Sequence, residues 1–255
     1  MRLLVRILAG LWLGSALAAS AASTGCPEHY PAGQAPGFIN PRLATETREI
    51  CYSEFGLMHS GVTRTPLWSA EHITAAEVAQ AEAIRRKNAF HADPHLPRKE
   101  RAELRDYAKS GFDRGHMTPS GDMPTEQAQY ESFSLANMIP QNPRNNQRLW
   151  ARIESAVRTL VKKEGELYLM TGPLFLGAQL EQIGGRVLVP SHIYKIVYDP
   201  RRQRAAAYLV ENRATDDYRV VTVTELERLA GIDFLPWLAA EAKAQPLKLP
   251  LPSQR

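Results

Sequence analysis

One long amphipathic helix among many short strand-like segments is the pattern that most constrains this chain. Residues 146–163 carry apolar side chains at helical spacing, which would form one stripe: Leu149, Ile153, Ala156, Val157, Leu160 and Val161. Strand-like stretches occur at 49–59, 66–73, 167–171, 187–189, 193–198, 205–210 and 219–223. Neither an internal repeat nor a linker of disordered composition divides these segments. The pattern predicts one α+β domain over residues 49–244.

Cap and turn signals predict the remaining elements. Thr74 and Glu77 form a capping-box pattern at the start of a helix that would run to Arg86. Similar signals predict a hairpin turn at Ser60-Gly61, helices at 98–109 and 125–133, a strand at 134–139 and a last helix capped by Thr224 and Glu227. Residues 111–124, GFDRGHMTPSGDMP, are predicted to be a shaped loop because glycine and proline interrupt any regular pattern.

The first 21 residues have the pattern of an export signal. Arg2 and Arg6 precede an apolar run at 7–17, and Ala-Ser-Ala at 19–21 fits a small-x-small cleavage site. The apolar run is too short to span a bilayer, and an uncleaved anchor is the alternative. Cleavage would lower the formal net charge from +4 to about +2 and leave residues 22–48 as an N-terminal arm. We therefore expect a periplasmic or secreted protein.

The rest of the chain has the composition of a globular protein. With 44% hydrophobic and 23% charged residues, it is neither a disordered nor a polytopic membrane protein. Only the tail at 245–255, which contains three prolines, is predicted to be irregular.

Cys26 and Cys51 are the only cysteines in the chain. An exported protein reaches an oxidising compartment, so the two are predicted to form a disulfide. The bridge would tie the arm to the first strand and stabilise the fold by about 3 kcal/mol. Two separate thiols are the alternative, and neither arrangement is catalytic because no Cys-x-x-Cys occurs.

The strongest local signal for chemistry is Asp113-Arg114-Gly115-His116. It places a titratable imidazole next to a flexible glycine and a permanent cation. The tetrapeptide alone is only suggestive, since an isolated histidine is more commonly a surface residue or a satisfied core residue.

A second run, NMIPQNPRNNQRLWARIE at 137–154, spaces polar residues at helical intervals. If 146–154 is helical, Asn146, Trp150 and Glu154 share one face. Asn146 and Glu154 would then lie about 12 Å apart along the axis, too far to bind one ion directly together. One direct ligand plus waters is an arrangement typical of Mg²⁺. Trp150 itself is more typical of a core residue than of a stacking platform.

Together the two runs resemble the DNA/RNA non-specific endonucleases. The DRGH string and the pattern Asn-x-x-Pro-Gln-x(4)-Asn-x(3)-Trp-x(3)-Glu stand in the order and separation usual for that family. These proteins are ββα-metal, or His-Me finger, nucleases and include mitochondrial endonuclease G. The resemblance covers residues 50–235. It implies an α+β fold with a central, mostly antiparallel sheet flanked by helices and a ββα-metal finger active site.

The resemblance also implies roles by motif position. His116 is similar to the family's general base, Asn146 to its metal-binding asparagine and Glu154 to the acid that orients water around the metal. Asn137 and Gln141 match polar active-site positions, expected to contact substrate.

The arginine assignments are less specific. Arg64 is similar to the family's phosphate-contacting arginine, with Arg48 as an alternative. Arg114 would stabilise charge near the phosphate, and Asp113 would fix local geometry by accepting hydrogen bonds. Basic runs such as Arg85-Arg86-Lys87 could touch phosphates but are more typical of solvated surface.

One departure from the family pattern concerns the metal ligand. Asn145 precedes Asn146 where relatives commonly have an apolar residue, so either asparagine could be considered. The spacing to Gln141, Trp150 and Glu154 favours Asn146.

The implied activity is an endonuclease that hydrolyses DNA and RNA with little sequence preference and leaves 5′-phosphate and 3′-hydroxyl ends. Neutral His116 would take a proton from water, while Mg²⁺ on Asn146, with Mn²⁺ as a substitute, would neutralise phosphate charge. A homodimer is common in this family. The alternatives are a nucleic-acid-binding protein without cleavage and a phosphodiesterase for a small substrate.

Overall fold

A seven-stranded antiparallel sheet forms the centre of the molecule. The computed structural model describes residues 23–253, so the leader predicted at 1–21 lies outside the described residues. The strands are β1 (Gly37–Phe38), β2 (Thr47–Cys51), β3 (Gly56–Ser60), β4 (Thr65–Thr74), β5 (Asp113–His116), β6 (Met138–Gln141), β7 (Glu166–Leu174), β8 (Gln182–Ile183), β9 (Val187–Leu188), β10 (His192–Asp199), β11 (Arg204–Glu211), β12 (Arg219–Val221) and β13 (Ile232–Asp233). The large sheet has the order β12-β11-β10-β7-β4-β3-β2, and β1–β13, β5–β6 and β8–β9 form separate pairs. The expected α+β fold is confirmed.

Helices cover both faces of this sheet. They are α1 (Ala75–Ala83), α2 (Leu104–Tyr107), α3 (Glu126–Ser132), α4 (Ala151–Glu164), α5 (Val223–Ala230) and α6 (Ala240–Lys243). A π-helical turn at Asn145–Trp150 leads directly into α4. Side chains alternate along β10, so that Tyr194 packs with α5 on one face and Ile193 with α4 on the other. The sheet therefore divides the hydrophobic core into two layers.

Cap geometry confirms one predicted helix start and corrects another. Glu77 N donates to Thr74 Oγ1 at 3.3 Å and Thr74 N donates to the Glu77 carboxylate at 2.7 Å, as the capping box predicts. The prediction that Thr224 caps the last helix is wrong. Thr222, two residues earlier, is the N-cap of α5, and its side chain accepts from Glu225 N at 3.1 Å.

Tertiary pairing overrides three local predictions. Within 98–109 only α2 is helical, because Glu100 is buried against Arg48 at 2.7 Å. The segment 111–124 is not wholly irregular, since β5 pairs with β6. The strand predicted at 134–139 is instead a 3₁₀ turn followed by β6. Each difference arises from a partner distant in sequence.

The arm and the tail are both attached to the domain. The arm contributes β1, which pairs with β13. The tail is irregular, yet Leu247 N donates to Ala205 O at 3.0 Å and Tyr208 Oη donates to Pro250 O at 2.6 Å. Over residues 23–253, the structure contains no helix of the length and apolarity that a membrane span requires.

Cys26 and Cys51 form the predicted disulfide, with their Cα atoms 5.6 Å apart. Replacing both with serine should lower the free energy of unfolding by about 3 kcal/mol, because the open chain regains the entropy of a 25-residue loop. Urea denaturation of the oxidised protein and the double variant measures the difference. Equal midpoints and slopes for the two proteins would contradict this expectation.

Candidate active site

Two short strands and the start of a long helix build one cavity. β5 and β6 are antiparallel, with His116 opposite Met138, and the chain then enters the π-helical turn and α4. Because side chains alternate along a strand, Arg114 and His116 lie on the same face of β5. The cavity between these elements has a volume of about 300 Å³, and its lining includes Arg86, Arg114, His116, Asn146, Glu154 and Arg158. Four of the residues singled out in the sequence therefore meet here.

The glycine of the DRGH string is a packing requirement. A Cβ atom on Gly115 would lie 2.0 Å from Gln141 Oε1 and 2.6 Å from Gln141 Cβ. Gln141 is fully buried, and its Nε2 donates to Asn145 Oδ1 at 2.9 Å. Any larger residue at position 115 would displace Gln141 and, through it, the helix start that carries the site.

His116 is a neutral, buried imidazole. Its ring packs edge-on against Phe133, with centroids 4.8 Å apart, and lies 5.6 Å from the Phe90 ring. Burial first, and then the positive charges of Arg86 and Arg114, lower the pKa of His116 from 6.5 to about 3. Nε2 is sealed from solvent and has no hydrogen-bond partner among the described residues, which leaves Nδ1 for the cavity. The neutral ring can accept a proton there.

The His116 ring should stay neutral as the pH falls from 7 to 5. A lowered pKa means that the proton-accepting form persists well below pH 6.5. Replacing Arg86 with glutamine removes one positive charge and should raise the pKa of His116 toward its ordinary value. NMR titration of the ring protons in both proteins measures the two midpoints. A wild-type midpoint near 6.5 would show that the ring is not desolvated.

Hydrogen bonds distinguish Asn146 from its neighbour. Asn145 is fully buried: Oδ1 accepts from Gln141 Nε2 at 2.9 Å, and Nδ2 donates to the Glu211 carbonyl at 3.0 Å. Asn146 Nδ2 donates to Asp113 Oδ2 at 2.9 Å, whereas its Oδ1 has no partner within residues 23–253. Asn146 is therefore the member of the pair with a free carbonyl oxygen at the cavity.

The π-helical turn changes which side chains face the site. A π-helix pairs residues i and i+5, so one turn holds more residues than an α-helical turn. Asn146, Ala151 and Glu154 line the cavity, whereas Trp150 packs in the core with Leu149. The expectation that Trp150 shares the face of Asn146 is wrong, and its expected place in the core is confirmed.

Glu154 brings a second oxygen donor to the cavity. Its half-buried carboxylate has neither a hydrogen bond nor an ion pair with any described residue. Burial raises the pKa of Glu154, and the nearby cation of Arg158 opposes that rise. An amide oxygen and a carboxylate, both without protein partners, suit a hard cation such as Mg²⁺ that keeps several of its waters. The residues present therefore fit a magnesium ion.

Arg86 and Arg114 carry positive charge to the cavity. Arg114 lies over the Phe90 ring, 4.1 Å from its centroid, and donates no hydrogen bond to the part of the chain described here. Arg86 follows α1, which ends three residues earlier than predicted, and its Nη1 donates to Ser120 Oγ at 3.0 Å. Both guanidiniums keep N–H groups with which to bind an anion.

Arg64 is not brought to this cavity. It lies in the turn between β3 and β4, where its guanidinium donates to the carbonyls of Lys99 at 2.9 Å and Arg186 at 2.7 Å. Those bonds join two loops. Arg48, the alternative, is paired with Glu100 as described above. The arginine that lies beside Arg114 in the cavity is therefore Arg86, whereas Arg64 lies outside it.

Comparison with known proteins identifies the family. The sequence model described as DNA/RNA non-specific endonuclease matches residues 34–241. This chain belongs to that family. It is 35% identical over 219 residues to Nuclease C1 of Cunninghamella echinulata var. echinulata, covering 78% of this chain and 84% of that protein. It is 34% identical over 238 residues to mitochondrial Nuclease EXOG of Danio rerio, covering 84% and 67%. A crystal structure of an EndoG/EndoGI complex matches with a TM-score of 0.71 at 30% identity, over 76% of this chain and 88% of that one.

The predicted enzyme class, a nuclease that acts on nucleic acids, is confirmed by these relatives. In this non-specific endonuclease, Asn137 and Gln141 lie behind the cavity rather than in it. Asn137 Oδ1 accepts from Thr118 N at 3.0 Å, and its Nδ2 donates to the carbonyls of Thr118 at 2.8 Å and Ser132 at 3.0 Å. Both side chains are fully buried, and neither lines the cavity.

Two arginines that line the cavity, Arg86 and Arg158, do not stand in either of the motifs found in the sequence. Arg86 stands in a basic run whose pattern is that of solvated surface, so only the fold singles it out. Arg158 follows Glu154 by four residues, a spacing that puts both on one helix face and could have revealed it. Its Nη1 donates to Asp122 Oδ1 at 2.8 Å, beneath the cavity.

Proposed function

We propose that this family member is an exported, Mg²⁺-dependent enzyme that hydrolyses phosphodiester bonds of both DNA and RNA and leaves 5′-phosphate and 3′-hydroxyl ends. The observation that carries this proposal is the meeting of a neutral imidazole, an unpartnered amide oxygen and two guanidiniums in one cavity. A phosphodiester repels nucleophiles and has a poor leaving group, so its hydrolysis needs both proton transfer and cations. Every group in the set acts on the backbone, which supports low sequence preference.

His116 is the proton acceptor in the proposed reaction. Neutral Nδ1 takes a proton from a water molecule aligned for attack on phosphorus. As the water oxygen bonds to phosphorus, the P–O3′ bond breaks, and the departing O3′ takes a proton from a second water molecule. The pKa of about 3 is low for a base in the free protein. A bound phosphate would offset the charges of Arg86 and Arg114 and thereby raise the pKa of His116. Substrate binding therefore strengthens the base at the moment when it is needed.

Asn146 and Glu154 are the residues that would hold the ion. Asn146 Oδ1 would bind it directly, and the Glu154 carboxylate would accept hydrogen bonds from the surrounding water. When bound, Mg²⁺, or Mn²⁺ in its place, supplies positive charge to the phosphate and to the departing oxygen. Asp113 holds Asn146 Nδ2 and so keeps the amide oxygen turned to the cavity. Arg86 and Arg114 bind the non-bridging oxygens of the phosphate.

Export is supported by the leader pattern at 1–21 and by the disulfide, because structural disulfides persist in oxidising compartments. N-terminal sequencing of the protein recovered from the periplasm or medium should begin at residue 22. An intact N-terminus confined to the cytosol would overturn this part of the proposal.

We also propose that the protein forms a homodimer, and sedimentation velocity would measure its oligomeric state.

Incubation with supercoiled plasmid and with RNA, in Mg²⁺ or in EDTA, tests the activity. We expect internal nicking of the plasmid and degradation of the RNA, both abolished by EDTA, and end-labelling that detects 5′-phosphates. Binding of both polymers without cleavage in any metal would indicate a nucleic-acid-binding protein instead. Cleavage of small phosphodiesters only would indicate the small-substrate enzyme.

A further inference from the structure

A second cavity opens beside the one that holds His116, Asn146 and Glu154, which we call the reaction cavity. The proposed reaction does not use this second cavity. Its volume is about 460 Å³, and it shares Arg86, Arg114, Asn146 and Gln147 with the reaction cavity. The two cavities are therefore direct neighbours, and the groups that would hold the phosphate and the ion border both. A nucleic-acid strand with one phosphate in the reaction cavity would place a neighbouring nucleoside at this opening.

The second cavity combines a polar, cationic lining with a group of aromatic and aliphatic residues. Phe90, Tyr107 and Phe112 contribute rings, and Leu104 adds an aliphatic side chain that is 44% exposed. Arg114 lies over the Phe90 ring, 4.1 Å from its centroid, and lines both cavities. The cations and amides of the lining suffice to bind a sugar-phosphate backbone, so the aromatic residues beside them are available for another part of the substrate.

Two amides in the lining can bond to the edge of a heterocycle. Asn88 Oδ1 accepts from Arg86 Nε at 2.9 Å, and no described residue is bonded to Asn88 Nδ2. Gln147 Nε2 donates to Asp113 Oδ2 at 2.9 Å, and its Oε1 is likewise without a partner in the described chain. One donor and one acceptor on exposed, rotatable side chains can serve any of the bases. Such a pair suits an enzyme without sequence preference.

We propose that this second cavity, the base cavity, binds one unstacked nucleobase of the substrate strand next to the scissile phosphate. A nucleobase has flat faces that match the aromatic wall and polar edges that match the two amides. A base that remains stacked in a duplex cannot enter such a pocket, so the strand must present one base out of its stack. The inference rests on the proposed nuclease function and specifies the form of substrate which that function accepts.

Single-stranded DNA oligonucleotides with one abasic residue at a defined position test the base cavity. Wild-type cleavage should fall about 5- to 150-fold at the one phosphate that neighbours the missing base, the effect of losing one stacked base. Phe112→Ala should slow cleavage of the intact oligonucleotide and lose most of this position dependence, because both changes remove the same contact.

Two further variants separate loss of the contact from loss of the fold. Leu104→Ala shortens an exposed side chain of the base cavity and should reduce the position dependence without altering thermal unfolding. Tyr130→Ala is the matched control, since Tyr130 is 49% exposed and lies outside both cavities. The Tyr130→Ala protein should keep the full difference in cleavage rate between intact and abasic oligonucleotides.

Each outcome decides between the base cavity and the nuclease function. If the active wild type cleaved the phosphate beside the missing base as fast as the same phosphate of the intact oligonucleotide, the base cavity would be overturned. The nuclease function would still stand. Absence of cleavage in both Mg²⁺ and Mn²⁺ would overturn the nuclease function. Binding in EDTA would then test the base cavity without cleavage, by comparing the affinities of wild type and Phe112→Ala for intact and abasic tetranucleotides. If wild type bound both tetranucleotides with equal affinity, the base cavity would be overturned as well. A Phe112→Ala protein that loses dimers but keeps the position dependence would assign the cavity to a second copy of the chain.

Discussion

Replacing His116 with alanine should reduce metal-dependent cleavage of plasmid DNA and of RNA by about 10²- to 10⁴-fold, the range for loss of a general base. Of the residues that line the reaction cavity, His116 alone offers a neutral nitrogen base, since Arg86, Arg114 and Arg158 are cations. The loss should appear in kcat, with KM little changed, because the ring acts on water rather than on bound substrate. Steady-state kinetics on a labelled oligonucleotide measures both quantities.

The matched control for this variant is His91→Ala. His91 is a half-buried histidine that stacks on Tyr130, with ring centroids 4.5 Å apart, outside the reaction cavity. It should retain wild-type cleavage. Added imidazole should restore part of the activity of His116→Ala, because the deleted ring leaves a space between Phe90 and Phe133. A folded His116→Ala protein that cleaves as fast as wild type would remove the histidine from the mechanism.

Replacing Asn146 with alanine should weaken Mn²⁺ binding and Mg²⁺-dependent cleavage by at least about 100-fold. Loss of an outer-shell partner costs about 10- to 100-fold, and loss of a direct ligand should cost more. The free energy of unfolding should stay close to wild type, because only one hydrogen bond, to Asp113, is lost at a half-buried position. Electron paramagnetic resonance of Mn²⁺ gives the affinity independently of activity.

Asn145→Ala should show the opposite pattern. Its side chain joins Gln141 to the Glu211 carbonyl in the interior, so its removal leaves buried polar groups without partners. The free energy of unfolding should fall by about 1–3 kcal/mol, with a smaller change in Mn²⁺ affinity than for Asn146→Ala. If Asn145→Ala lost the metal and Asn146→Ala kept it, the ligand would have to be reassigned to Asn145.

Local sequence patterns were sufficient to predict the elements whose stability depends on near neighbours in sequence. The apolar stripe at 146–163 and the capping box at Thr74 and Glu77 are of this kind, because helix periodicity and helix caps involve residues three or four apart. Strand β5 could not be predicted in this way. Its four residues include a glycine and two charged residues, and only pairing with β6, more than 20 residues later, makes them a strand.

The sequence by itself determined which residues are the candidates for the chemistry, since His116, Asn146 and Glu154 stand in motifs of fixed spacing. The tertiary structure alone decided what surrounds them. Arg64 and Arg86 are both arginines in connecting segments, and separation along the chain does not report which of them lies near the site. The lowered pKa of His116 depends on rings and charges from three separate segments, and the choice of Asn146 over Asn145 depends on partners in β5, β6 and β11. Burial and hydrogen bonding between distant segments exist only once the chain has folded.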